Sequence, residues 1–177
     1  SYQLTANRNI NVIVPGYWML FAINNSGVPS VAKIVRVVRS AESNLAVDGS
    51  VSQSSTGHSG PPELAIDDNP GGNHSNGSIS HTLADAQAWW EIDLKAVREI
   101  DMIRLWNRSD CCKERLSNFY ILVSDVPFVS KSLAEARNQR GVSEIYHEST
   151  MADSQEFVIG RTGRYVRVQL AGTDYLS

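Results

Sequence analysis

Apolar residues recur along this chain in short runs that turn-forming residues interrupt, a pattern typical of β-strands. In the first part of the chain the runs predict strands over residues 11–14, 18–24 and 32–38. Farther on they predict strands over residues 51–55, 89–94, 100–107, 118–124, 144–146, 155–159 and 165–170. Helical patterning is confined to residues 132–139 and a turn over residues 62–66. Short strands at this spacing predict an all-β protein, either a sandwich or a barrel.

Composition narrows the class of protein without identifying it. The 177 residues are 42% apolar and 20% charged, which is ordinary for a folded domain. The net charge of −3 and the scattered basic residues argue against a general nucleic-acid surface and against binding to anionic lipid. The longest apolar run, over residues 17–23, is far too short to span a membrane. We therefore expect neither nucleic-acid binding nor membrane insertion.

The richest chemistry lies in residues 108–115, which hold two arginines, an aspartate and two adjacent cysteines. An arginine offers a fixed fork of donors and no acceptor, so it suits an oxygen-rich ligand such as a sugar. Cys111 and Cys112 cannot join distant parts of the chain. Oxidised together, they would form an eight-membered ring with a flat sulfur surface for a small ring to pack on, whereas the pair alone is equally compatible with reduced thiols. The segment indicates a binding site.

The pattern His81-x26-Arg108-x-Asp110-x4-Arg115 resembles the fucose-binding motif of the F-type lectins, or fucolectins. The resemblance implies that His81, Arg108 and Arg115 hydrogen-bond fucose through its ring oxygen and two of its hydroxyl groups. Neutral histidine can donate or accept a hydrogen bond, which suits a hydroxyl group. Asp110 is expected to orient one guanidinium group rather than to touch the sugar.

Three further residues complete the sugar site that this resemblance implies. A disulfide between Cys111 and Cys112 would pack against the carbon face of the sugar ring. Family members often place an aromatic side chain against the methyl group of fucose. In the corresponding loop, residues 70–76, His74 carries the only ring and is the candidate for that contact.

Several segments resemble strands of the discoidin-like jelly-roll fold, also called F5/8 type C, to which F-type lectins belong. These segments cover residues 44–46, 51–55, 88–94, 100–108 and 163–170. The resemblance implies an F-type lectin domain with a jelly-roll β-sandwich over residues 43–177, lacking its last strand. Because that fold also hosts membrane and collagen binders, the motif rather than the fold indicates the ligand.

The start of the chain resembles a different family. Residues 14–21, with the sequence VPGYWMLF, and residues 27–32 resemble the end of the C-terminal early-set domain of galactose-oxidase-like proteins. That domain is an immunoglobulin-like β-sandwich, so residues 1–39 are predicted to be a fragment of one. In copper-radical oxidases the domain supplies a copper-binding histidine, but no histidine precedes His58 here. Copper chemistry is therefore expected, if at all, only of a longer parent protein.

A calcium loop is implied by residues 63–69, which resemble the metal-binding loop of the F-type lectins. Calcium takes six to eight oxygen ligands, and four residues of this chain are candidates to supply some of them. The candidates are Leu64, Asp67, Asn69 and Ser78. In the family, further ligands follow a sequence like that of residues 175–177, so the set is incomplete here. The expected role of calcium is structural, bracing the loop that leads to His81.

These observations predict a non-catalytic lectin module that recognises L-fucose and targets a larger secreted protein to fucosylated glycans. The extracellular location is inferred from the family and from the cysteine pair. Two alternatives stay open: a fragment of a copper-radical oxidase, and a discoidin-type adhesion module with another ligand. The second would need exposed apolar side chains on its loops, but residues 69–80 are polar. Glu91 and Asp93 share a strand face, which we interpret as a solvated face rather than a catalytic pair.

Overall fold

A computed structural model of the chain describes residues 16–21, 23–37 and 44–177. The chain divides into two units, residues 1–44 and residues 45–177. In the first unit, β1 (Gly16–Leu20) pairs antiparallel with β2 (Lys33–Val37). The side-chain oxygen of Asn24 accepts hydrogen bonds from the backbone N–H groups of Ser26 and Val28. These bonds stabilise a turn in the segment between β1 and β2. The predicted strand over residues 11–14 lies outside the described residues.

Antiparallel strands make up most of the regular secondary structure of the second unit. They are β3 (Ser50–Gln53), β4 (Asp85–Ala86), β5 (Trp89–Trp106), β6 (Phe119–Ser124), β7 (Ser143–His147), β8 (Ser154–Leu170) and β9 (Thr173–Asp174). One α-helix, α1 (Leu133–Asn138), and three 3-10 helices, Pro62–Ala65, His74–Asn76 and Lys113–Arg115, complete it. The main sheet has the order β3-β5-β8-β6-β7, and β4 pairs with β9. The all-β prediction is confirmed.

The strands β5 and β8 differ from the sequence prediction, which split each of them in two. They pair with each other from Trp89 opposite Gln169 to Trp106 opposite Ser154, and only shifts in register interrupt the ladder. A side chain on Gly163 would place a Cβ atom 2.4 Å from Val123 Cγ1, so glycine is needed where the ladder passes this close to β6. The polar and glycine residues that suggested strand ends instead accommodate a continuous, irregular ladder.

The core lies on both faces of β6, in keeping with the alternation of side chains along a strand. Phe119, Ile121 and Val123 are buried in the main cluster, which also contains Phe157 from the first half of β8. The rings of Phe119 and Phe157 are 6.1 Å apart, so the far end of the β5–β8 ladder packs over β6. On the opposite face, Leu122 packs in a second cluster with residues of α1.

A buried arginine of β8 connects the sheet to the loop between β6 and α1. Arg167 is 0% exposed, and its Nε donates to Glu91 Oε2 at 2.7 Å while its Nη1 donates to the carbonyl of Ser130 at 2.7 Å. Its guanidinium group also lies 4.4 Å from the ring of Phe128. The interpretation of Glu91 as part of a solvated strand face was wrong, because its carboxylate is the partner of this buried cation.

In the part of the chain that the structure describes, no helix has the length and apolar content that a membrane crossing requires.

Replacing Arg167 by methionine is expected to lower the free energy of unfolding by about 3–5 kcal/mol, because it leaves the Glu91 carboxylate uncompensated in a poorly hydrated site. Urea denaturation measures the change. The matched control is Arg104→Met, which removes the exposed ion pair with Glu156 and should cost less than about 1 kcal/mol. Equal losses in the two variants would contradict this account of the buried pair.

Candidate functional site

The residues of the predicted sugar site come from three segments that the fold brings together. His74 lies in a 3-10 helix, His81 precedes β4, and the segment from Arg108 to Arg115 connects β5 to β6. The rings of His74 and His81 are 5.8 Å apart, and the backbone N–H of His74 donates to Asp110 Oδ2 at 3.2 Å. The arrangement therefore joins segments that are far apart in sequence.

Arg108 is held by a two-point contact with Asp110. Nε donates to Oδ1 at 2.9 Å and Nη2 donates to Oδ2 at 2.8 Å, so Asp110 orients this guanidinium group. The hydrogen bond from Arg108, together with that from the His74 backbone, holds the pKa of Asp110 well below its usual range. Arg108 is only 7% exposed and makes no other side-chain hydrogen bond within the described residues. Among the residues that the structure describes, its Nη1 group is thus an oriented donor without a protein partner.

The backbone around Arg108 is fixed by Asn107, which the sequence analysis missed. Its side-chain amide donates to the carbonyl groups of Lys113 and Met151 at 3.1 and 2.9 Å, and its Oδ1 accepts from the Arg108 N–H. The Ser109 N–H donates to the carbonyl of Gly72 at 2.7 Å. A Cβ atom on Gly72 would stand 2.6 Å from the Asn107 carbonyl oxygen, so glycine permits this close approach.

Cys111 and Cys112 form the predicted vicinal disulfide. Cys112 has a left-handed backbone, with φ of 60°, and its carbonyl accepts a hydrogen bond from the Arg115 N–H at 3.2 Å. The disulfide thus lies at the start of the 3-10 helix that carries Arg115. Along the chain, the disulfide therefore lies between Arg108 and Arg115, the two candidate sugar-binding arginines.

His81 is 2% exposed, and its Nδ1 lies 2.6 Å from the carbonyl oxygen of Thr82. Because a carbonyl only accepts, Nδ1 carries the proton and Nε2 of the neutral ring is an acceptor. Burial lowers the pKa of His81 below 6.5, and the positive Arg108 nearby lowers it further, although the bond to Thr82 acts in the opposite direction. Near neutral pH the site therefore offers arginine donors beside one imidazole acceptor.

Two more rings, from His58 and Tyr175, adjoin this centre. The His58 ring is 4.7 Å from that of His81, and the Tyr175 ring is 5.4 Å from it. Tyr175 also lies beneath the guanidinium group of Arg115, whose Cζ is 4.5 Å from the ring centroid. Tyr175 thereby connects Arg115 with His81. Its position after β9 carried no sequence signal that related it to the motif.

His58 is held in an unusual turn. His58 and Ser59 both have positive φ, of 48° and 55°, which costs free energy for residues other than glycine. Hydrogen bonds from Gly57 N–H to the His81 carbonyl and from His81 N–H to the Gly60 carbonyl stabilise the turn. The sequence Gly-His-Ser-Gly was the available signal, because glycines on both sides of a histidine mark a tight turn that presents it.

The calcium candidates lie in one folded loop. The side chain of Asp67 accepts from the Asn69 N–H at 2.9 Å, and Ser78 Oγ donates to the carbonyl of Gly71 at 2.6 Å. A Cβ atom on Gly71 would lie 3.0 Å from Asn69 Oδ1 and 3.3 Å from Ser78 Oγ, so these two oxygens converge. Leu64 lies in the 3-10 helix Pro62–Ala65. Within the described residues, no three or more histidine, cysteine or acidic side chains are grouped so that they could hold a metal ion.

Comparison with known proteins identifies the family. The family profile described as the NedA-like, galactose-binding domain of F5/8 type C proteins matches residues 64–168. Fucolectin-5 of Anguilla japonica is 33% identical over 145 residues, which are 78% of this chain and 74% of that protein. The chain belongs to the fucolectin branch of the F5/8 type C family. Its second unit is accordingly a discoidin-like jelly roll.

Solved structures agree with this assignment. A fucose-binding module of Streptococcus pneumoniae is 31% identical, with a TM-score of 0.66 over 76% of this chain and 92% of that one. The lectin domain of lectinolysin, solved in complex with Lewis B antigen, is 27% identical, with a TM-score of 0.65 over 75% of this chain and 89% of that one. The second unit therefore shares the fold of these modules.

The start of the chain is similar to a different family. Residues 1–37 match the profile of the galactose oxidase-like early set domain, which supports the predicted immunoglobulin-like fragment. Galactose oxidase of Gibberella zeae is 49% identical over 39 residues, but these are only 22% of this chain and 6% of the oxidase. This short match includes none of the site described above, and the relatives that match 78% of the chain are fucolectins, as expected for a non-catalytic module.

An NMR titration of the histidine resonances should show His81 protonating at a pH below 6.5, because burial and the positive Arg108 oppose its charging. The folded state then binds this proton less readily than the unfolded chain. The resulting stability is present above pH 6.5 and is lost as the pH falls through the lower folded pKa. Arg108→Gln should raise the midpoint, whereas Arg164→Gln, whose arginine pairs with Asp93, should not. A midpoint at or above 6.5 would refute this description of the site.

Proposed function

We propose that this chain is a non-catalytic lectin module that binds L-fucose at the end of glycans. The observation that carries the proposal is the convergence of the clamped Arg108, Arg115 and the neutral His81 beside the disulfide. The relatives described as fucolectins and as a fucose-binding module support the choice of sugar. In this role the chain would deliver a larger extracellular protein to fucosylated glycans.

The donors and the acceptor of the site match a sugar edge that carries adjacent hydroxyl groups. Nη1 of Arg108 and the guanidinium group of Arg115 would donate to the ring oxygen and to hydroxyl oxygens. A hydroxyl proton would be donated to Nε2 of His81, which accepts in the neutral ring. An epimer that points one hydroxyl elsewhere leaves a poorly hydrated donor unpaired, at a cost of about 1–3 kcal/mol. Selectivity for fucose over such epimers would follow from this penalty.

The apolar parts of the sugar would contact the disulfide and a pair of imidazole rings. Cys111 and Cys112 offer a compact sulfur surface for the carbon face of the ring. His74 would pack against the methyl group together with His58, since His74 Nε2 donates to the His58 carbonyl at 3.0 Å and their rings are 6.3 Å apart. Two imidazoles make this wall more polar than aromatic carbon rings would, so the contact with the methyl group is the weakest part of the proposed site.

Calcium is proposed as a structural ion of the same module. The side chains of Asp67, Asn69 and Ser78 and the backbone of Leu64 provide oxygen donors of the type that calcium prefers. Bound there, the ion would supply positive charge that holds several loop oxygens together. Because the loop ends only three residues before His81, ordering it would also fix the approach to the sugar site. The disulfide is in keeping with the extracellular location that we propose.

Isothermal titration of the oxidised, calcium-supplemented protein with L-fucose and with D-galactose tests the proposal. Fucose should bind more tightly, and Arg108→Gln should weaken its binding by at least about tenfold, because a charge-assisted hydrogen bond contributes roughly 1.5–3 kcal/mol. Arg164→Gln, a change at the half-buried bidentate pair with Asp93, should leave the affinity unchanged. Absence of fucose binding by the folded protein would reject the proposal and favour a discoidin-type module with another ligand.

Tyr175 is expected to position Arg115 and His81 for this binding. Tyr175→Ala removes the ring beneath the guanidinium group and should weaken fucose binding by about threefold to tenfold, the magnitude of an exposed cation–π contact and its packing. Tyr175→Phe keeps the ring and should restore the affinity. In the alanine variant the His81 midpoint measured by NMR should also shift, which a loss of general stability would not produce. Unchanged affinity in the alanine variant would remove Tyr175 from the site.

A further inference from the structure

An exposed tryptophan stands next to the candidate site without any role in it. Trp106 is the last residue of β5 and lies two positions before Arg108. It is 47% exposed, and its indole N–H makes no hydrogen bond within the described residues. Large exposed aromatic side chains are costly in water and frequently mark binding surfaces. Trp106 therefore requires an explanation beyond the packing of the sheet.

The side chains around Trp106 are polar and lie on one face of the β5–β8 ladder. Directly opposite residues of an antiparallel pair project to the same face, so Trp106 stands beside Ser154, and Arg104 stands beside Glu156. Arg104 and Glu156 form an exposed ion pair, and the Arg104 guanidinium lies 5.7 Å from the Trp106 ring. The partner carboxylate orients a guanidinium group that still has donors to offer.

A continuous series of contacts joins this face to Arg115. Asp153 precedes Ser154, and its carbonyl accepts from the Asn107 N–H at 2.9 Å. The carboxylate of Asp153 pairs with Lys113, which begins the 3-10 helix that ends at Arg115. We call this exposed surface the outer strip. It consists of Lys113, Asp153, Trp106, Arg104 and Glu156.

We propose that the outer strip binds the sugars next to the terminal fucose, with the apolar face of one pyranose ring stacked on Trp106. The inference rests on the function proposed above, and it extends the ligand from a monosaccharide to an oligosaccharide. The hydroxyl groups at the edge of the stacked ring would meet Arg104, Glu156 and the indole N–H. The exposed Lys113–Asp153 pair would lie along the path between the two sugar rings.

The chemistry of the strip favours a glycan over a protein partner. The cores of protein interfaces are depleted in charged residues, whereas the strip surrounds a single aromatic ring with two ion pairs. Sites for small polar ligands combine aromatic surface with a few oriented polar groups, which is the combination present here. A sugar ring has the matching properties, because its carbon face is apolar and its edge carries hydroxyl groups.

Calorimetry with methyl α-L-fucoside and with fucosyllactose, in which fucose is the terminal sugar, tests this inference. The unmodified protein should bind the trisaccharide about threefold to tenfold more tightly than the monosaccharide, as one aromatic contact provides. In Trp106→Ala the gain should disappear while the affinity for the monosaccharide is unchanged. Val158→Ala, at a 71% exposed position on the same face of the ladder, should retain the gain.

The possible outcomes separate this inference from the proposed function. Binding of methyl fucoside without a gain for the trisaccharide, or a gain that survives in Trp106→Ala, overturns the outer strip and leaves the fucose site intact. Failure of the folded protein to bind either sugar rejects both. Saturation-transfer NMR on the unmodified protein gives a readout that does not depend on a variant. Saturation of aromatic protons should reach the lactose part of the trisaccharide, and transfer confined to fucose contradicts the inference.

Discussion

The continuous pairing of β5 with β8 is the constraint on which the rest of the second unit depends. One part of this ladder forms the centre of the main sheet, and its far end packs over β6, where Phe157 meets Phe119. Residues from both parts of this pair of strands therefore line the main cluster, whereas α1 packs on the second cluster. The ladder ends at Trp106 and Ser154, so the backbone enters the motif directly from a hydrogen-bonded strand. The position of Arg108 is therefore set by β5, which belongs to the most extensively paired ladder of the fold.

That placement makes it possible to keep a charged group in a poorly hydrated site. A guanidinium group that is 7% exposed needs a partner, and Asp110 supplies one through two hydrogen bonds. The contact uses one edge of the fork and leaves Nη1 available. Asn107 and Gly72 fix the backbone on either side, so a ligand would not have to order this segment. Because the segment is preorganised, binding a ligand through a small number of contacts has a lower entropic cost.

The sequence predicted the parts of this protein that follow local rules. A short continuous run of apolar residues located β6, and the fixed spacing of His81, Arg108 and Arg115 located the motif. It did not predict the continuity of β5 and β8, because bulges and Gly163 look like strand ends when the partner strand is unknown. His58 and Tyr175 were missed for a related reason, since only the tertiary fold brings them to His81. Asn107 was missed because its role is to hydrogen-bond backbone carbonyls, which no sequence pattern reveals.

The difference between local sequence patterns and contacts made only in the folded chain also explains how a motif of four residues can lie in a site with many more contacts. The motif provides charge and hydrogen-bonding groups, whereas the surrounding rings set the local polarity. Three imidazoles and Tyr175 surround one another at ring separations of 4.7–6.3 Å. The Tyr175 ring packs beneath the Arg115 guanidinium group, and Arg108 is itself buried, so both arginines are partly shielded from water and interact more strongly with a ligand oxygen. Arginine donors held in fixed orientations by their carboxylate and ring partners suit hydroxyl groups at defined positions, so the geometry of the site determines its selectivity.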